Sequence, residues 1–289
     1  MHNRNKKFSS RGATRAVRTT DIRPPGKFPS VSVIREIGEY RSLFYFLAWR
    51  DVKVRYKQTV LGMVWAVIQP LTTMVVFSIV FGKLGNLPSD GVPYPVFTYA
   101  ALLPWLLFST ALTRAMQSLV TDQSLVTKVY VPRLILPTAS ILSPLVDFVI
   151  AAIILSVLMF YYSITPTARI VCVPAFVLLT MTITLGAGLW LSAVNARYRD
   201  VRHASPFMIQ LWMFASPVAY AGSLVPSRFD IFYGLNPMVS VIEGFRWALF
   251  GTNELSATLL IVSAVVSIIM LASGLYIFLK TEENLADHV

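Results

Sequence analysis

Long apolar runs alternate with short polar turns along most of this 289-residue chain. A helix needs about 20 mostly apolar residues to cross a bilayer. Six runs approach or meet that length: Leu61–Phe81, Val96–Leu112, Pro137–Tyr161, Ile170–Val194, Ser205–Tyr220 and Ala257–Leu279. The second and fifth are short. Together they predict an all-α integral membrane protein with six transmembrane helices within residues 58–280. Pro70, Pro104, Pro144, Pro174 and Pro217 fall inside the runs. Inside a bundle, neighbouring helices can satisfy the backbone groups that such prolines free.

The segments outside the runs differ from one another. Residues 1–30 are basic and rich in Ser, Thr and Pro, which predicts a disordered tail beside anionic lipid. From Val33 to Tyr56, Ile34, Ile37, Tyr40, Phe44 and Leu47 recur at three- and four-residue steps among charges. That spacing predicts an amphipathic helix in the interface plane, with Trp49 near its end, so that 31–57 form an interface helix and linker. In 221–255, Asn236 suits an N-cap, Pro237 a first helical position and Gly251 a stop. The helix they bound, Met238–Phe250, would be about 20 Å long, short of the roughly 30 Å hydrocarbon core. This region reads as short re-entrant helices on the external side. Glu243 and Arg246 share a face of it, either as a local ion pair or as part of a gate lining. Residues 281–289 form a tail.

Charge sets an orientation. The net charge is +11, yet only 13% of residues are charged, against about 25% in soluble domains. Of 25 Lys and Arg residues, 14 lie in 1–57, which argues against a nucleic-acid partner. With the N-terminus inside, the cytoplasmic side also holds Arg114, Lys128, Arg133, Arg197, Arg199, Arg202 and Lys280. The external side holds Lys83, Arg169, Arg228 and Arg246, so both termini are predicted cytoplasmic. The polar interruption Thr127–Pro137 then faces the cytoplasm. It is longer than a turn needs and carries two cations, a Tyr and a Pro, as a docking surface for an outside engine would.

Catalytic chemistry is not visible. No phosphate-binding G-x-x-x-x-G-K-[ST] loop and no G-x-S-x-G elbow occurs. The histidines are His2, His203 and His288, and the one cysteine is Cys172, so no metal-ligand cluster is expected. Asp147 is an acid inside the third run, where acids are costly and often functional. One acid is little for a proton relay. Among 36 aromatics, Trp65, Phe77, Trp105, Phe108 and Trp212 lie deep in the runs. They either pack the bundle or line a path, since an aromatic face suits the apolar face of a sugar ring.

Several short motifs, in order, resemble one family. They are Trp49-Arg-Asp-Val-Lys-Val-Arg-Tyr56, Leu61-Gly62, Gln69-Pro70, Pro93-Tyr94, Leu103-Pro104-Trp105, Lys128-Val-Tyr-Val-Pro-Arg133, Asp147, Asn195-Ala-Arg-Tyr-Arg-Asp-Val-Arg202, Ser216-Pro-Val-Ala-Tyr220, Asn236-Pro237 and Glu243-Gly-Phe-Arg246. From about residue 40 onward the chain resembles the membrane subunit of type-2 ABC exporters for polysaccharides such as O-antigen, capsule or teichoic-acid-type glycans. The resemblance implies a multi-pass permease of the bacterial inner membrane and a lipid-linked glycan substrate. It implies a homodimer with the channel between its copies and two separate ATPase subunits that hold the ATP and magnesium. The 113–136 segment would contain the coupling helix, with Ser124, Lys128, Tyr130 and Arg133 against the ATPase. Val131 departs from the family, where Phe is common. Type-2 exporters of drugs or small lipids, and an ion-coupled carrier, are the competing readings.

Overall fold

The computed structural model describes residues 38, 40–57, 60–123, 132–198, 200–251 and 255–286. The expected tail 1–30, most of the start of the interface helix, and Ser124, Lys128 and Tyr130 lie outside them. Among the described residues the chain is helical, without strands.

Helix α1 (Arg41–Lys57) precedes α2 (Val60–Phe77), whose last turns widen into a π-helical stretch, Ser78–Leu84. Helix α3 (Tyr94–Thr121) is followed by the short α4 (Ile135–Ser140) and by α5 (Pro144–Tyr161). A 3-10 turn, Ala168–Cys172, leads into α6 (Val173–Arg197), and α7 (Val201–Phe214) comes next. Two small helices, α8 (Asp230–Gly234) and α9 (Pro237–Phe250), precede the long α10 (Ala257–Ala286).

Five helical stretches are long and apolar enough to cross a membrane: Val64–Leu84, Tyr94–Thr121, Ile135–Tyr161, Ala168–Arg197 and Ala257–Thr281. The six expected runs thus become five such spans among the described residues. The run Ser205–Tyr220 falls on α7, whose 14 residues extend only about 21 Å. Pro217 explains the stop. The residue before a proline is driven away from helical geometry, so α7 gives way to a turn from Ala215. Proline placement differs elsewhere too. Pro70 and Pro104 lie inside α2 and α3, whereas Pro144 and Pro174 sit in first turns, where no N–H is needed.

Helix α3 is the central post. Its face from Val96 to Met116 is almost wholly buried, including Phe97, Tyr99, Leu102 and Phe108. The main core gathers around it from α5, α6 and α9, with Phe176, Ile183, Met238, Val241 and Phe245. Small residues permit the closest approaches, since without a hydrophobic drive in lipid, helix pairing depends on tight packing. A Cβ on Gly186 of α6 would lie 2.7 Å from backbone atoms of Met270 and Leu271 in α10. Gly188 meets α3 in the same way, at Ala115.

Helix α1 is more than a float on lipid. Tyr40, Leu43, Phe44, Leu47 and Ala48 form one stripe and pack against Ile135, Leu136 and Ala139 of α4 and Leu119 of α3. Tyr45, Phe46 and Trp49 remain exposed, where amphipathic rings suit a headgroup layer.

Candidate functional site

Polar side chains concentrate at the two ends of α3. At the Thr121 end, α1 supplies Arg50, Asp51, Arg55 and Tyr56. Arg50 reaches Asp122, just past α3, at 2.7 Å, and also holds Asp51 at 2.9 Å. The hydrogen bond it donates to Asp122 holds the pKa of the Arg50 guanidinium above its usual value. Arg55 lies 2.6 Å from Oδ2 of Asp147 in α5, and the Tyr56 hydroxyl donates to Oδ1. Burial, and then Asp147, raise the Tyr56 phenol above its usual range, so it remains a donor. Oδ1 of the intramembrane acid thus accepts a hydrogen bond, while Oδ2 is held by the Arg55 charge without a well-directed hydrogen bond. Arg133, just before α4, is half-buried, and its carbonyl accepts from the Leu136 N–H at 3.2 Å.

At the Tyr94 end, α9 is tied to the turn after α7. Asn236 caps α9 by accepting from the Met238 N–H at 3.2 Å, and Gly251 ends it in the left-handed region, at φ 68°. The same Asn236 accepts from Trp212 Nε1 at 2.8 Å and donates to Ser216 Oγ at 2.9 Å. Arg246 is buried. Its Nη1 donates to Glu243 at 2.9 Å and to the Tyr220 carbonyl at 3.1 Å, and Nη2 donates to the Val218 carbonyl at 3.1 Å. Its guanidinium sits 3.5 Å from the centroid of the Phe97 ring. Burial holds the Glu243 carboxyl above its usual range, and Arg246 beside it offsets only part of that rise. The Tyr94 hydroxyl donates to the Ala219 carbonyl, which adds a third tie to the turn. Glu243 and Arg246 thus form an internal latch.

The aromatic candidates separate by placement. Trp105, Phe108 and Trp212 stack in sequence, with centroids 5.4 and 4.8 Å apart, and join α3 to α7. Phe77 packs edge-on against Phe81 at 5.3 Å. Phe77, Trp105 and Phe108 are buried within the chain, and Trp212 is half-buried. Trp65 on α2 is 62% exposed. A cavity of about 390 Å³ lies between α3, α5 and α9, walled by Leu103, Phe148, Leu155, Met159, Phe245 and Leu249. Its walls are apolar save Ser156 and Thr165, too few polar groups to orient a sugar. No group of three or more metal-ligating side chains occurs among the described residues.

The ties from α1 to Asp122 and Asp147 were not foreseen in the sequence, although Asp147 itself was conspicuous. Their partners lie 72 and 91 residues away, so no local spacing could signal them. The Glu243–Arg246 pair was legible because three residues place both on one helix face.

Residues 42–250 match the ABC-2 type transporter family. Among curated proteins, the chain is similar to the O-antigen export system permease protein RfbA of Myxococcus xanthus, at 32% identity over 90% of this chain and 100% of that protein. It is also similar to the protein of the same name from Klebsiella pneumoniae, at 26% identity over 89% of this chain and 99% of the relative. The polysialic acid transport protein KpsM of Escherichia coli is 21% identical over 81% of this chain and 91% of its own length. With a family match across most of the chain and a relative aligned over its whole length, this protein belongs to the ABC-2 type transporter family.

Proposed function

We propose that this chain is the permease subunit of an ATP-driven exporter that moves a lipid-linked polysaccharide across the bacterial inner membrane. The observation that carries the reading is the full-length, 32% identical match to an O-antigen export permease. ATP hydrolysis would belong to a separate ATPase subunit that binds magnesium and nucleotide, because this sequence has no phosphate-binding loop. Two copies of the chain would pair with two such subunits, with both termini on the cytoplasmic side.

Exposed surfaces support a pairing of copies. On α7, Phe207, Leu211 and Phe214 recur at helical spacing and are all more than half exposed. Trp65, Ile68, Val75 and Ile79 also recur at near-helical spacing along α2 and the π-helical stretch after it, at 43–62% exposure. A conduit between two copies could use Trp65 and the α7 face as its walls. Trp212, Trp105, Phe108 and Phe77 would then brace those walls from behind. Glu243 and Arg246 would hold the outer mouth in shape, and Arg133, with Ser124, Lys128 and Tyr130, would meet the ATPase.

An ion-coupled carrier is the weaker reading. Asp147 is the only Asp or Glu in the five spans, and Arg55 and Tyr56 occupy both of its oxygens. The function is tested by co-expressing the chain with a candidate ATPase subunit, purifying the complex and reconstituting it in proteoliposomes. The expected outcome is ATP-dependent delivery of lipid-linked glycan to the opposite leaflet, with the ATPase recovered in equal amount. Transport of small amphiphiles without glycan delivery would overturn the substrate class.

A further inference from the structure

Asp122 follows α3, and the next described helix is α4, which is followed by α5 carrying Asp147. The sequence between α3 and α4 holds the expected ATPase contact. Helix α1 is bonded to a residue before that stretch and to one after it. Its Arg50 takes Asp122 at 2.7 Å. Five residues on, Arg55 takes Asp147 at 2.6 Å, with the Tyr56 hydroxyl on the other carboxylate oxygen. On the N-terminal side of both anchors α1 adds an apolar seam, with Leu47 buried against Ile135, Leu136 and Ala139. Two ionic anchors on different helices resist rotation as well as sliding, and one anchor alone would not.

The surrounding charges fit such a role. Arg114 of α3 stands within electrostatic range of Arg55, Asp51, Asp147 and Tyr56. With Arg50, Asp51 and Asp122, the cluster holds three guanidinium groups and three carboxylates and is neutral. The ionic side chains are only 17–28% exposed, so water screens the pairs weakly. Taking one partner from an ion pair held mostly out of water leaves the other charge uncompensated. Packed units move as wholes rather than deform.

We propose that Asp122 and Asp147 are positioning residues that clamp α1 to the inner ends of α3 and α5, so that the three helices shift as one body when the ATPase subunits act. The single acid in the five spans then serves as a mechanical anchor. This rests on the reading of the chain as an ATPase-driven permease, but not on which substrate it carries.

The test uses the complex with its ATPase subunit in lipid nanodiscs, with Cys172→Ser and spin labels on cysteines at exposed positions. One pair joins Lys53 to Thr121 and another joins Lys53 to Val149. Pulsed electron resonance then reads each distance without nucleotide and in an ATP-trapped state. Both distances are expected to stay fixed in the unsubstituted clamp. A shift of about one helical turn, ~5 Å, in either distance would overturn the proposal. In proteoliposomes, Asp122→Asn with Asp147→Asn should lower glycan exported per ATP hydrolysed by about tenfold. Asp122→Glu with Asp147→Glu should retain the ratio. An unchanged ratio in the Asn variant would overturn the clamp. Should that variant fail to assemble, the distances and the Glu variant decide the matter. The distances need no glycan, so an error in the substrate class leaves them readable.

Discussion

Arg246 shows how much one side chain fixes. It engages a carboxylate, two carbonyls and an aromatic face, and no other residue type offers that geometry. Arg246→Lys keeps the charge but places a single ammonium where a planar fork is needed. It should destabilise the protein by about 2 kcal/mol. Arg246→Ala, which leaves Glu243 buried without its partner, should cost about 3–5 kcal/mol. Thermal unfolding in detergent should rank the two in that order, and equal midpoints would refute the latch. The sequence pointed to the Glu243–Arg246 pair but left open whether it was a gate lining or a local bond. The structure adds partners that have no sequence signature, the backbone carbonyls of Val218 and Tyr220. The same limit hid the bonds of Asp147, because its partners come from α1, far along the chain.

At the scale of helices, legibility followed local chemistry. The observed α9 begins at Pro237 and ends at Phe250, within one residue of the expected start, because a cap, a proline and a glycine are short-range signals. Asn236→Ala removes that cap together with its bonds to Trp212 and Ser216, and should cost about 1–2 kcal/mol in the same unfolding assay. The fifth apolar run is not confirmed as a span, because hydropathy does not register a helix stop. Pro217 ends α7 while the composition stays apolar. Helix crossings were not legible either. Gly186 has no local role visible in the sequence, but it lies against the α10 backbone. Gly186→Ala should destabilise by about 1–3 kcal/mol, since backbone cannot yield as a side chain can. Gly38→Ala, with nothing within 4 Å of the added carbon, should change little, and hydrogen exchange along α10 should separate the two.

For the whole molecule, the pairing of copies makes the sharpest prediction. If α7 faces a second copy, Leu211→Glu should convert a dimer into monomers, read as a halved mass by light scattering in detergent. Phe160→Glu, at a more exposed position on α5, should leave the mass unchanged. Trp65→Ala should leave the dimer intact and slow glycan delivery in the reconstituted assay. The bond between α1 and Asp147 also bears on how the chain is made. An acid within a span resists insertion. Arg55 and Tyr56 leave the ribosome some 91 residues earlier, which at ordinary synthesis rates is roughly 5–20 seconds. When α5 reaches the bilayer, its acid meets cations and a hydroxyl already waiting at the membrane surface. The order of synthesis thus supplies the partner before the cost arises, and losing Arg55 and Tyr56 would show first as a span that stalls on entry.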